Sequence, residues 1–169
     1  MRRSDFPRGN WWDVVFSLIA LLVVVADQLS KIWIRFYTEG QIIFEAGFFR
    51  LTRISNTGAA FGLFPDQSFF LIIVDFIGIV LVLLYVFLVP RRFPFLDTRL
   101  GRLALGLVLG GTIGNLVDRL RFGYVTDFIS IGVWPAFNIA DSAITVGVIL
   151  FACFLLFSAR AKKPLPPPS

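Results

Sequence analysis

The chain has 169 residues, of which 57% are hydrophobic and only 16% charged, and its mean hydropathy is +0.80. Soluble domains average about 45–50% apolar and about 25% charged residues, so lipid must be the solvent for most of this surface. The absence of His and the single Cys exclude a Ser-His-Asp triad, a Cys-His pair, metal sites built from His or Cys clusters and an internal disulfide framework.

A hydrocarbon core of about 30 Å takes about 20 helical residues to cross. The first stretch of that kind, about residues 12–36, is uncharged from Val14 to Ala26 and then carries Asp27, Lys31 and Arg35. Its basic start and apolar run resemble a secretory signal. No small-residue cleavage site follows Ala26, however, and the helical pattern continues, so retention as a span is expected. Asp27 and Lys31 are four apart and share a helix face. A structural ion pair and direct substrate contact both fit that spacing.

The connection that follows is too long for a tight turn. Phe49-Arg50-Leu51-Thr52-Arg53-Ile54-Ser55 alternates apolar with polar, Asn56-Thr57-Gly58 reads as a turn, and Ala59, Ala60 and Gly62 allow close backbone approach. A small sheet over about residues 41–64, resting on the membrane surface, is expected. The second span, about 68–89, contains one charge, Asp75. With no complementary charge nearby in sequence, Asp75 is either protonated or paired across the bundle with Lys31 or Arg35.

The third span, about 100–117, stops at Asp118-Arg119. Gly110, Gly111 and Gly114 invite close helix packing, while Asn115, Asp118 and Arg119, at i, i+3 and i+4, put an amide, a carboxylate and a guanidinium on one face. Interfacial packing and catalysis both remain open there. The fourth span, about 137–159, has Asp141 in its first turns and Cys153 as an expected core residue. The tail 164–169 (Pro-Leu-Pro-Pro-Pro-Ser) cannot be helical and is expected to be disordered. The whole therefore reads as an all-α membrane protein with a small extracytoplasmic sheet, one membrane-embedded domain over residues 1–163, with no internal repeat.

Ten of the sixteen basic residues lie on one side of these spans: Arg2, Arg3, Arg8, Arg91, Arg92, Arg99, Arg102, Arg160, Lys162 and Lys163. The positive-inside rule makes that side cytoplasmic, with both termini on it. Nucleic acid is not needed to explain the charge.

Asp127 and Asp141 are the most informative acids. Asp127 lies in the outer connection after the third span and Asp141 begins the fourth, so both fall near the outer boundary, where the chain turns back between adjacent helices. Two carboxylates held close share a proton, providing a base for water and an acid for a leaving amine without His or metal. The positive end of the fourth helix tilts the base role toward Asp141. Spacing alone leaves catalysis, capping and ion translocation open.

Five ordered motifs now stand together: Asp27-Gln28-Leu29-Ser30-Lys31, Asn56-Thr57-Gly58-Ala59-Ala60-Phe61, Gly114-Asn115-Leu116-Val117-Asp118-Arg119, Val125-Thr126-Asp127-Phe128 and Phe137-Asn138-Ile139-Ala140-Asp141-Ser142. Over nearly the whole chain they resemble the lipoprotein signal peptidase family, the type II signal peptidases of bacterial inner membranes. The resemblance implies an aspartic endopeptidase that needs no metal or other cofactor. Its substrate would be a diacylglyceryl-modified prolipoprotein, cut on the N-terminal side of the lipid-modified Cys. It implies Asp127 and Asp141 as catalytic residues; Asn56, Asn115, Arg119 and Asn138 as residues lining the site; and Asp27, Lys31 and Asp118 as its supports. A monomer in contact with membrane lipids is expected, with its active site near the outer face. Two rivals are a proton-coupled transporter, which would place its acids near the midplane and show repeats, and a non-catalytic assembly factor.

Overall fold

A computed structural model describes residues 11–58, 68–92 and 98–160. Ala59, Ala60, Phe61, Gly62, the tail 164–169 and the basic residues Arg2, Arg3, Arg8, Lys162 and Lys163 lie outside the described residues. Four helices carry the chain: α1 (Trp11–Arg35), α2 (Ser68–Arg92), α3 (Arg99–Phe122) and α4 (Ile139–Arg160). All four are long and apolar enough to cross a membrane. Three antiparallel strands, β1 (Ile42–Ala46), β2 (Phe49–Asn56) and β3 (Val125–Ile131), form one sheet in that order. The sheet stands where α1 and α3 finish and where α2 and α4 begin.

The central helix is α3, buried along most of its length and packed against the other three. Its glycines explain how. A Cβ added at Gly110 would stand 2.6 Å from the Ala20 carbonyl oxygen of α1, and one at Gly111 would stand 2.5 Å from the Ala140 carbonyl oxygen of α4. A Cβ at Gly114 would fall 2.6 Å from Asp27 Oδ2. In lipid no hydrophobic force joins apolar helices, so such backbone contacts, with interhelical hydrogen bonds, supply the association. Outward faces remain apolar for the acyl chains: Leu18, Leu21 and Leu22 on α1, Phe69, Ile77 and Leu81 on α2, Val148, Ile149 and Leu156 on α4 are all exposed. Cys153 is exposed on the same kind of surface, not in the core as its apolar helix suggests. At the end away from the sheet, Asp13 of α1 pairs with Arg102 of α3 at 2.5 Å, and Arg99 stacks over the Trp12 ring at 4.9 Å.

Two elements differ from the sequence expectation. Helix α3 continues to Phe122, past the expected stop at 117, because Asp118 and Arg119 are each paired across the bundle and do not need water. Gly123, at φ 77°, then ends it by donating its N–H to the Arg119 carbonyl. The segment holding Asp127 is a strand where an irregular connection was expected, with Ile54 opposite Asp127 and Asn56 opposite Val125. Phe137 hydrogen-bonds back to Ile129 in both directions, at 2.8 and 2.9 Å, which folds the loop after β3 back along that strand's free edge and delivers Asn138 to the start of α4.

Candidate active site

The sheet end of the bundle encloses charge that lipid cannot solvate. Asp27, Lys31 and Asp118 are each 0% exposed, and an isolated ion at such depth would cost several kcal/mol. Each has partners. Lys31 Nζ lies 2.8 Å from Asp27 Oδ2 and 3.5 Å from Asp118 Oδ2, and Arg35 closes on Asp118 Oδ1 at 2.6 Å. The i, i+4, i+8 spacing of Asp27, Lys31 and Arg35 puts all three on the face of α1 that meets α3. Gln28 adds hydrogen bonds to Asp27, Asp118 and the Gly114 carbonyl.

This cluster grips the chain beside each of the two expected catalytic acids. Asp27 Oδ1 accepts the Ala140 N–H at 3.0 Å, one residue before Asp141. Asp118 Oδ2 accepts the Thr126 N–H at 3.0 Å, one residue before Asp127, and Arg35 Nε donates to Thr126 Oγ1 at 2.9 Å. The third bond of Lys31, 2.9 Å to Asn115 Oδ1, turns the Asn115 amide so that its Nδ2 donates to Asp141 Oδ1 at 2.8 Å. Helix register, buried charge and amide orientation thus act on the same two carboxyls.

Asp127 and Asp141 meet through Asn138, which is fully buried. Its Nδ2 donates to Asp127 Oδ1 at 2.7 Å, and Asn56 Nδ2 donates to Asp127 Oδ2 at 2.8 Å from the neighbouring strand. Asn138 also caps α4: its Oδ1 accepts the Asp141 N–H at 2.9 Å, while Asp141 Oδ2 accepts the Asn138 N–H at 3.2 Å. That reciprocal pair is a capping box, so Asp141 fulfils the capping reading of its position and still presents Oδ1 to the site. Burial of Asp127 and, after it, the nearby charge of Asp141 push the Asp127 carboxyl up to about 7, against the lowering effect of the Asn56 and Asn138 hydrogen bonds.

Above the two acids lies a cavity of about 770 Å³. Asn56, Asn115, Arg119, Asp127, Asp141, Ser142 and Thr145 are polar parts of its lining, and Ile131, residues 133–137, Ile144 and Val146 are apolar ones. A peptide with one end in lipid suits that division.

All nine expected site residues gather at this end of the bundle, but in two tiers. Asn56, Asn115, Arg119, Asp127 and Asp141 line the cavity; Asn138 lies beneath it, and Asp27, Lys31 and Asp118 hold the backbone behind. The three polar residues of α3 turn to different partners: Asn115 to Asp141, Asp118 to Arg35, and Arg119 to Asp75 at 2.6 Å. Asp75 therefore takes neither Lys31 nor Arg35, which other acids occupy. Gln28 and Thr126 join the network without having been assigned a role from the sequence, and Arg35, read there as a candidate partner of Asp75, pairs with Asp118 instead. The row Asp27-Lys31-Arg35 was the available signal for Arg35.

The family model for signal peptidase (SPase) II matches residues 19–157. A lipoprotein signal peptidase of Dehalococcoides mccartyi is 48% identical over 149 residues, 88% of this chain and 92% of that one. A lipoprotein signal peptidase of Moorella thermoacetica is 44% identical over 146 residues, 85% of this chain and 94% of its own length. The fold is similar to a bacterial membrane enzyme structure solved by the in meso method at 2.3 Å, with a TM-score of 0.78, 32% identity, and coverage of 91% of this chain and 94% of that chain. With the matched region covering every strand and most of every helix described above, the chain belongs to the signal peptidase II family, hydrolases of the aspartic peptidase type.

Proposed function

We propose that Asp127 and Asp141 are the catalytic pair with which this chain, as a member of that family, removes signal peptides from prolipoproteins. The observation that carries the assignment is their placement together in the lining of one cavity, joined through Asn138 and each held on both oxygens by N–H donors.

Asp141, partly open to the cavity, is the base that takes a proton from water. Asp127, 2% exposed and raised to about 7, holds the proton that the leaving amide nitrogen needs. Water attacks the carbonyl carbon on the N-terminal side of the diacylglyceryl-modified Cys. The tetrahedral intermediate collapses with cleavage of the C–N bond, and Asp127 protonates the departing amine. The proton taken up by Asp141 returns the pair to its starting state by exchange with solvent. Asn56, Asn115 and Arg119 present donors to the substrate backbone, and Asn138 keeps the two carboxyls in register. The apolar wall admits the signal helix from the bilayer.

The distribution of Arg and Lys supports an orientation with the sheet end outside the bacterial inner membrane and both termini in the cytoplasm. A single domain over residues 1–163, working as a monomer in contact with membrane lipids, completes the proposal. The test is cleavage of a diacylglyceryl-modified prolipoprotein in liposomes by Asp127→Asn and Asp141→Asn. Each is expected to lose at least about 10³-fold in rate at unchanged abundance. Cleavage within tenfold of the parent by either variant ends the assignment.

A further inference from the structure

Asp75 is the one charged residue of the apolar stretch 68–89, and it sits seven residues into α2, about 10 Å below the sheet end at 1.5 Å per residue. A carboxylate at that depth needs a compensating charge. Lys31 is taken by Asp27, Asp118 and Asn115, while Arg35 pairs with Asp118 and donates to Thr126. Arg119 supplies the charge: its Nη1 donates to Asp75 Oδ2 at 2.6 Å, with the two side chains 12% and 14% exposed. Among the described residues Asp75 is the only acceptor of Arg119 and the only tie of this kind between α2 and the site. The guanidinium meanwhile lines the same cavity as Asp127 and Asp141.

A guanidinium so largely withdrawn from solvent pairs with the nearest carboxylate, and Asp141 lies within electrostatic reach of Asp75. We propose that Asp75 is a positioning residue: its ion pair with Arg119 holds the guanidinium at the cavity edge, keeps it off the catalytic carboxylates, and leaves its remaining N–H groups aimed at a substrate carbonyl. The proposal rests on the reading of Asp127 and Asp141 as the catalytic pair. With Asp75 removed, Arg119 becomes an uncompensated cation beside two acids and forms an inhibitory pair with them.

The experiment compares Asp75→Asn, Asp75→Glu, Arg119→Gln and Asp75→Asn/Arg119→Gln in liposomes, using a diacylglyceryl-modified prolipoprotein peptide across pH 5 to 9. Asp127 is faced by Asp141 and by Lys31 of α1, Asp141 by Asp127 and Asp75 of α2, and Arg119 of α3 lines the same cavity. Losing one negative charge from that set, and freeing Arg119 to approach the acids, favours deprotonation of Asp127. Asp75→Asn should therefore lower kcat/KM by about tenfold or more and move the alkaline limb of the pH profile about half a unit or more toward acid. Asp75→Glu should recover most of the rate and the parental limb. Asp75→Asn/Arg119→Gln, which removes the stranded cation together with its partner, should lose less than the product of the Asp75→Asn and Arg119→Gln losses. A kcat/KM for Asp75→Asn within twofold of the parent overturns the proposal. So does an equal loss in the Asn and Glu variants with the limb unmoved, which is the mark of a packing role. If Asp75→Asn does not accumulate in the membrane, Asp75→Asn/Arg119→Gln, which removes both charges, must accumulate and cleave with raised KM; parental KM in it overturns the proposal. Asp127→Asn and Asp141→Asn run alongside: cleavage by either defeats the catalytic assignment, whereas two dead aspartate variants beside a parental Asp75→Asn defeat only the role of Asp75.

Discussion

Replacing Lys31 with Met tests the buried charge cluster behind the site. Met keeps the length and apolar stem of the side chain but removes the cation. In the parent, two cations, Lys31 and Arg35, face two anions, Asp27 and Asp118. After the change one cation faces two anions, all in a region with no solvent access at Asp27 or Asp118. Removing one partner of a buried pair costs about 3–5 kcal/mol, which is a factor of about 10² to 10³ or more in the folded-to-unfolded ratio. The Asn115 amide also loses the donor that orients it, so cleavage should fall even where folded protein remains. Reversible unfolding in mixed micelles measures the stability. The double variant Lys31→Met/Asp27→Asn restores one cation against one anion and should regain at least half of the loss. A change under about 1 kcal/mol for Lys31→Met, or a double variant whose losses simply add, would refute the charge argument.

Gly111→Ala places a methyl 2.5 Å from the Ala140 carbonyl oxygen, next to Asp141. Cleavage should drop about tenfold or more, whereas Gly147→Ala, 2.7 Å from the Ala104 carbonyl oxygen and away from the site, should destabilise by about 1–3 kcal/mol with kcat kept in the folded fraction. Asn138→Ala removes the α4 cap and the bond to Asp127; it should cost about 0.5–2 kcal/mol of stability and most of the cleavage rate, read by unfolding and single-turnover assays. Because burial pushes the Asp127 carboxyl up to about 7 in the folded protein, above the ordinary value of 3.8, the folded state holds its proton more tightly. The stability tied to that proton is complete below about pH 4 and is lost as pH rises to about 7. Asp127→Asn should accordingly gain Tm relative to the parent between pH 5 and 8, and parental kcat should fall above about pH 7. A Tm difference independent of pH contradicts this.

The membrane architecture was legible because apolar run length is a local property, and all four spans appear within a few residues at most ends. Misreadings arose where distant partners rewrite local rules. Asp118-Arg119 reads as a helix stop only if those charges need water, and the bundle supplies Lys31, Arg35 and Asp75 in its place. Val125–Ile131 contains β-branched and aromatic residues, but seven residues carrying an aspartate do not announce a strand until β2 is available to pair with them. The roles of Asp127 and Asp141 came from motif resemblance, since 14 positions of separation say nothing about meeting. Asn138 and the folded-back Phe137 bring them together, and that geometry depends on the loop after β3. The partner of Asp75 was invisible for a different reason: the sequence suggested Lys31 or Arg35, and only helix packing shows that both are already taken and that Arg119 is the partner.

The central claim is that two carboxyls act on one water. The most direct measurement is a structure of the protein bound to a substrate-derived lipopeptide whose scissile amide is replaced by a hydroxyl-bearing tetrahedral mimic. The account predicts that hydroxyl within hydrogen-bond distance, about 2.5–3.0 Å, of both Asp127 and Asp141, with the signal-peptide portion against the apolar wall of the cavity. A hydroxyl contacting one aspartate alone, or seated elsewhere with the two carboxyls apart, would contradict it.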